Sequence, residues 1–146
     1  MARVRDESRS KIMASIKRRD TKPELLLRKE LWRRGLRGYR LDVKLPGRPD
    51  IFFSKYKLCV FVDGCFWHGC PIHYKGVERN KGYWDAKIEG NTLRDRVADE
   101  KLFEMGFTVM RFWDHEITGK PVCVVADRLE EFIRRMQRSR ERASRN

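Results

Sequence analysis

Residues Leu58 to Val62 form an unbroken apolar run within a predicted strand, Tyr56 to Val62, and that run offers no polar face to water. A strand of that kind is central in its sheet and must be covered on both sides, so the rest of the chain has to supply the layers. The same strand delivers the densest chemistry in the sequence. Val60 to His73 reads VFVDGCFWHGCPIH, with cysteines, histidines, an acid and an adjacent Phe-Trp pair in one stretch.

Cys65, Cys70 and His73 are spaced C-x4-C-x2-H. Thiolate and imidazole are the ligands of structural Zn²⁺, which takes a closed tetrahedral set. The remaining ligand must come from elsewhere in the chain. His115 and Cys123 are the candidates, and His115 is favoured because it directly follows an apolar strand. His68 falls out of step with the ligand spacing. Held by the metal loop and titrating near neutral pH, it suits proton transfer. Phe66 and Trp67 cannot both point into one core, so at least one ring faces outward, where it can stack on bases or wedge between them.

Charge names the partner class. Lys and Arg number 34 against 21 Asp and Glu, a formal net charge of +13. That implies a polyanion, with nucleic acid ahead of membrane. The 146 residues are enough for one domain with a real core and too few for two. No apolar run approaches the roughly 18 residues of a spanning helix, and MARVRDESRS lacks the apolar core of a signal peptide. A cytosolic protein is expected, with its cysteines as thiols or zinc ligands rather than disulfides. Cys59, inside the central strand, reads as a buried core thiol.

Residues 1–20 form a basic arm that includes Arg9, Lys11, Arg18 and Arg19, with a weak helical stripe at Ile12, Met13 and Ile16. Such arms order on DNA. Thr21-Lys22-Pro23-Glu24 starts a helix: Thr21 can cap, Pro23 fits the first turn, and Glu24 stands at the capping-box position. The helix runs to about Arg34, and Gly35 ends it. Capping is a sufficient explanation of Glu24 on these grounds alone. Tyr39, Leu41, Val43 and Leu45 alternate with polar residues and predict a half-buried strand, broken by Pro46-Gly47-Arg48-Pro49.

A second strand follows from Asp50 to Phe53, and Ser54-Lys55 turns it into the central strand. Asp50 opens one arm of this hairpin and Asp63 closes the other. An acid at the start of a buried strand is a poor core residue and a good Mg²⁺ ligand, or else a turn cap. Residues 74–82 read as a loop. Tyr83 to Met105 is a long helix with Trp84, Ile88, Asn91, Asp95 and Leu102 near one face. Asp95 therefore needs a partner. His68 would serve, with the carboxylate setting its tautomer as in a catalytic triad; an arginine such as Arg94 or Arg96 would also serve. Phe107 to Trp113 is another buried strand, ending at Asp114-His115. Val122 to about Arg138 is the last helix, with Val125, Leu129, Phe132, Ile133 and Met136 inward. Residues 21–137 thus make a single domain, and 138–146 a basic disordered tail.

Five segments carry a resemblance across most of the chain: RSKIMASIKRRDTKPE (9–24), LPGRPDIFF (45–53), VFVDGCFWHGCPIH (60–73), YWDAKIEGNTLRDR (83–96) and GFTVMRFWDHE (106–116). Together they resemble the very-short-patch repair endonucleases, bacterial nickases of T:G mismatches. The resemblance implies an α/β restriction-endonuclease-like fold, a mixed central sheet flanked by helices, with a structural zinc site. Asp50 would bind catalytic Mg²⁺, helped by the main-chain carbonyl of Val62. His68 would be the general base, Asp95 would hold it, and Glu24 would order the metal's water shell. Cys65, Cys70, His73 and His115 match the zinc positions. Phe66, Trp67 and Trp84 would enter the duplex beside the mismatch, and the basic arm would clamp the minor groove.

The zinc knuckle at Cys70 and His73 departs from a His-rich version seen in the family, and two further departures concern Asp63 and the residues after it. Asp63 replaces a histidine found in some members, as a further candidate Mg²⁺ ligand or as a stand-in for a phosphate contact. Asp63-Gly64-Cys65 also lacks the lysine of the wider nuclease fold, which turns the search for a base to His68. The resulting expectation is a monomeric, strand-specific, Mg²⁺-dependent endonuclease that nicks 5′ to the thymine of a T:G mismatch. It would act at the bacterial nucleoid, with the mismatch-repair protein MutL as a partner by family analogy. The alternatives are a non-catalytic zinc-containing DNA-binding module and a restriction endonuclease of the same fold.

Overall fold

The computed structural model describes residues 20–65, 81–118 and 121–145. Helix α1 (Lys22–Arg33) carries Pro23 in its first turn, where a missing N–H leaves no bond unmade. Leu27 and Leu31 are its fully buried anchors. Gly35, at φ +80°, closes the helix, and the Leu36 N–H returns to the Leu31 carbonyl at 2.9 Å, as the predicted stop signal requires.

The sheet has three strands in the order β1 (Ile51–Phe53), β2 (Leu58–Asp63), β3 (Thr108–Trp113). β1 pairs antiparallel with β2, and β2 pairs parallel with β3, so the sheet is mixed. The hairpin turns through a short 3₁₀ segment, Ser54–Tyr56, and Lys57 at φ +51°. That left-handed residue delays the start of β2 to Leu58. Helix α2 (Lys81–Glu104) leads into β3, which is followed by the short α3 (Asp114–Thr118) and the long α4 (Cys123–Arg145).

The central strand is covered on both faces, as its apolar run requires. Ile51, Phe53, Leu58, Val60 and Phe112 pack with Leu27 and Leu31 of α1, Ile117 of α3, and Val125, Leu129 and Ile133 of α4. On the other face Phe52, Cys59 and Phe61 pack with Leu102 of α2, and Val43, Leu45 and Val109 lie against them. Cys59 is wholly buried, and burial pushes its thiol up to about 11, which fits an inert core residue.

Three sequence expectations are corrected. Residues 39–45 do not form a strand; Arg40 alone bridges to Phe52, in antiparallel sense. Asp42 sits at φ +56° and interrupts the extended backbone, although Val43 and Leu45 still bury against the sheet. The last helix does not stop at Arg138, and 138–145 is not a disordered tail. It continues as exposed helix to Arg145. The segment is rich in good helix formers, with Arg135–Glu131 paired at i,i+4 and Arg140 Nη1 donating to the Lys55 carbonyl at 2.7 Å. Finally, Asp114 and His115 lie in the first turn of α3 rather than at a strand end. Glu116 starts that turn by accepting from the Trp113 N–H at 2.7 Å, as the glutamate of a capping box does. Among the described residues no helix is long and apolar enough to cross a membrane.

Candidate active site

One end of the sheet gathers acids. Asp50 immediately precedes β1, and its N–H donates to the Val60 carbonyl at 2.9 Å. Its Oδ2 accepts from the Val62 N–H at 2.6 Å, so the side chain is clamped to β2. The loop that brings it there depends on Gly47, at φ +76° between the sheet and α2. A Cβ at that position would lie 2.9 Å from Ala98 Cβ and 3.2 Å from the Phe61 ring. Asp63 closes β2 at the same end, and α1 contributes Glu24. Both are buried, at 7% and 6% exposure, which is rare for carboxylates without a partner.

Glu24 is more than a cap. Thr21 makes no side-chain capping bond, and Glu24 Oε2 accepts from the Asp20 N–H at 2.9 Å, one residue upstream of the predicted cap. Its carboxyl is also close enough to Asp50 to raise that residue's pKa. Burial pushes the Asp50 carboxyl up to about 7, and the charges of Glu24 and Asp63 add to that, against the lowering effect of the Val62 N–H. A buried acid raised by two neighbouring acids marks a place where a cation is wanted.

A second feature of this end was not legible in advance. Arg111, in the middle of β3, sends Nη1 to Asp63 Oδ1 and Oδ2 at 3.0 and 3.2 Å. Its Nε and Nη2 bind Asp99 of α2 at 3.0 and 2.7 Å. Asp95 Oδ1 lies 3.8 Å from Nη1. The guanidinium rests on the Phe61 ring, 4.0 Å from its centroid. Burial opposes its charge, and the carboxylates outweigh burial to hold its pKa above the ordinary value. The signal was a lone arginine inside the apolar strand TVMRFW, a residue type that is seldom buried unpaired.

Beyond β2 the structure joins two of the predicted zinc ligands. The Cys65 thiol donates to Asp114 Oδ1 at 2.7 Å and lies 3.1 Å from His115 Nδ1. The ligand atoms of Cys65, Asp114 and His115 all fall within 4.8 Å of one another. Asp114 is the addition that spacing did not single out. Cys123, the alternative to His115, is exposed at the start of α4, where its carbonyl accepts from Arg34 Nη2 at 3.3 Å. The sulfur, imidazole and carboxylate set fits Zn²⁺, and the all-oxygen set around Asp50 fits a harder cation such as Mg²⁺.

Trp84 lies in the first turn of α2. It is 6% exposed, packed edge-on against Tyr83 at 5.2 Å between ring centroids. It shares the buried side of α2 with Ile88. Phe66, Trp67, His68, Cys70 and His73, and the arm residues Arg9, Lys11, Arg18 and Arg19, lie outside the described residues.

A basic chain with clustered acids at the end of a covered mixed α/β sheet has the make-up of a metal-assisted nuclease. Comparison with known proteins agrees. The family model "DNA mismatch endonuclease Vsr" matches residues 2–74. The type II nicking enzyme V.HpaIIP of Haemophilus parainfluenzae is 41% identical over 124 residues, covering 83% of this chain and 88% of that protein. The type II nicking enzyme V.NmeDIP of Neisseria meningitidis serogroup C is 40% identical over 94% of this chain and 93% of its own. The DNA mismatch endonuclease Vsr of Escherichia coli K12 is 36% identical over 91% of this chain and 88% of its own. The chain belongs to the Vsr DNA mismatch endonuclease family, and it is a DNA endonuclease, a hydrolase whose partner is DNA.

Proposed function

We propose that this endonuclease nicks one strand of duplex DNA 5′ to the thymine of a T:G mismatch, the lesion left when 5-methylcytosine deaminates, in a Mg²⁺-dependent reaction. The observation that carries this reading is the convergence of Asp50, Glu24 and Asp63 at one end of the sheet, in a chain similar to mismatch endonucleases and nicking enzymes. Asp50 and the Val62 carbonyl would hold the Mg²⁺, and Glu24 would order its water shell. Bound there, the cation would stabilise charge on the phosphate undergoing attack.

The chain's own residues do the rest. His68 takes the proton of the attacking water, and Asp95 orients it through the other ring nitrogen. Phe66, Trp67 and Trp84 wedge into the stack beside the mismatch, where unstacking is cheaper than at a paired step. Arg9, Lys11, Arg18 and Arg19 of a basic arm over 1–20 grip the backbone ahead of the endonuclease domain. Zn²⁺ would be held by Cys65 and His115, with Cys70 and His73 completing the set, and would supply a crosslink rather than chemistry. The working form is a cytoplasmic monomer at the nucleoid, with MutL as its expected partner.

The test uses end-labelled duplexes that differ only in one T:G or T:A pair, with Mg²⁺, in several flanking contexts. Nicking of the T strand of the T:G duplex alone is the expected result. Asp50→Ala should retain binding and lose nicking by a factor on the order of 10³ or more. Equal cleavage of T:A duplexes would overturn the mismatch reading, and persistent nicking by Asp50→Ala would overturn the assignment of the centre.

A further inference from the structure

Helix α4 changes character where its packing ends. Val125, Ala126, Leu129 and Ile133 are buried, and Gln137 Nε2 still donates to the Tyr56 hydroxyl at 3.0 Å. From Arg138 to Arg145 every residue is exposed. That segment reads RSRERASR, four arginines against one glutamate. Earlier in the helix the arginines are answered one turn back: Arg134 pairs with Glu130 and Arg135 with Glu131, at 2.6 and 2.7 Å. The pattern then inverts. Four residues before Arg138 stands Arg134, and four before Arg142 stands Arg138. Like charges at that spacing repel and work against the helix. Counting about 100° per residue, Arg134, Arg135, Arg138, Arg142 and Arg145 share an arc of about 100°, directly opposite Leu129 and Ile133, with Glu141 at its edge. Arg140 lies on the other side, where its Nη1 donates to the Lys55 carbonyl at 2.7 Å and ties the charged segment to the β1–β2 turn. That turn is the end of the sheet away from the acids: Leu58 pairs with Phe53 there, and Asp63 closes β2 roughly 17 Å along the strand.

We propose that the arginine stripe of α4, formed by Arg138, Arg142 and Arg145 with Arg134 and Arg135 behind them, is a separate DNA-binding surface that takes the phosphate backbone of a duplex without regard to sequence, remote from the acidic end of the sheet. The stripe runs about 16 Å along the helix, the axial rise of about five base pairs. Guanidinium forks match phosphate oxygens in geometry as well as charge. A bound backbone supplies the anions that the ladder of arginines lacks, so it relieves the repulsion within the helix. The chemistry of the segment argues against other acidic partners. Past Gln137 its only apolar side chain is Ala143, so the helix has nothing to insert into a lipid surface and no anchor for the core of a protein interface.

The experiment uses the full-length protein and a fully matched duplex without Mg²⁺, so its outcome is independent of the reading of Asp50 and of the mismatch. Fluorescence anisotropy gives Kd between about 50 and 200 mM NaCl. The triple variant Arg138→Gln/Arg142→Gln/Arg145→Gln keeps good helix formers at all the changed positions. Loss of three phosphate contacts should flatten its slope of log affinity against log salt by about 2.7, so that over this range the wild-type Kd rises about fortyfold more than that of the variant. The corresponding triple Arg→Lys variant, which keeps the charges, should hold the wild-type slope. A second measurement reads the place of contact in the unaltered protein: amide hydrogen exchange over 138–145 should slow by about fivefold or more when the duplex binds. An unchanged slope in the glutamine variant overturns the proposal and leaves an acidic protein as the occupant to seek. A flattened slope with exchange over 138–145 untouched by DNA also overturns it, because the arginines would then act only through the net charge of the molecule.

Discussion

At the scale of single residues, Asp50 shows how a fold can make an ordinary side chain reactive toward cations. Burial and the nearby Glu24 and Asp63 raise its carboxyl to about 7, from an ordinary value of 3.8. In that interval the folded protein holds a proton that the unfolded chain has released, so stability falls as pH rises from about 4 to 7. Without Mg²⁺, wild type should therefore lose stability relative to Asp50→Asn over this window, by on the order of 3 kcal/mol. Urea melts of both proteins at pH 4.5 and 7.5 check it, and parallel behaviour would show that Asp50 is not raised. The acid was legible in the sequence as a residue out of place after Pro49. Its neighbours were only half legible, because Glu24 already had a sufficient local role at a helix start and nothing along the chain brings α1 to the sheet end.

Elements are joined by a second arginine. Arg34, at the end of α1, pairs with Glu30 of its own helix and with Asp127 and Glu130 of α4, at 2.9, 2.6 and 2.9 Å. Its side chain is 12% exposed, so these bonds are partly shielded from water. Burial works against its charge, and the bonds to Asp127 and Glu30 outweigh that to raise its pKa. Arg34→Ala should lower stability by about 2 kcal/mol, read as a drop in the midpoint of thermal unfolding. Nicking at low temperature should be unaffected, because the contact lies away from Asp50. Helices and strands themselves were largely legible from periodicity, Pro23 and Gly35. The failures occurred where one residue's backbone overrode the pattern, as Asp42 does in the alternating segment 39–45, or where local helix preference outlasted the apolar stripe, as in α4 past Arg138.

For the whole molecule, the Cys65 cluster links distant parts of the chain. Cys65 follows β2, and Asp114 and His115 follow β3, separations of 49 and 50 residues in sequence. A metal shared among them would close a long loop and pin the ends of two parallel strands next to the acidic centre. Full-length protein purified without chelator should contain about one zinc per chain. Cys65→Ala should lose that zinc and unfold at lower temperature, and a zinc-free wild type of unchanged stability would dismiss the crosslink.

The chain's own order determined which chemistry was present: soft ligands in the run after the central strand, an acid at a strand start, a basic arm, and a strand that needed two covering layers. These are properties of residues a few positions apart, and local physics reads them. The tertiary structure decided which of them meet. Asp63 finds Arg111 only because β2 and β3 pair in parallel with Phe61 opposite Arg111. A one-residue slip in that register would turn Arg111 to the opposite face of the sheet. Glu24 approaches Asp50 for the same kind of reason. Each depends on how whole elements pack, and packing is set by the summed burial of both sheet faces rather than by any short stretch of sequence.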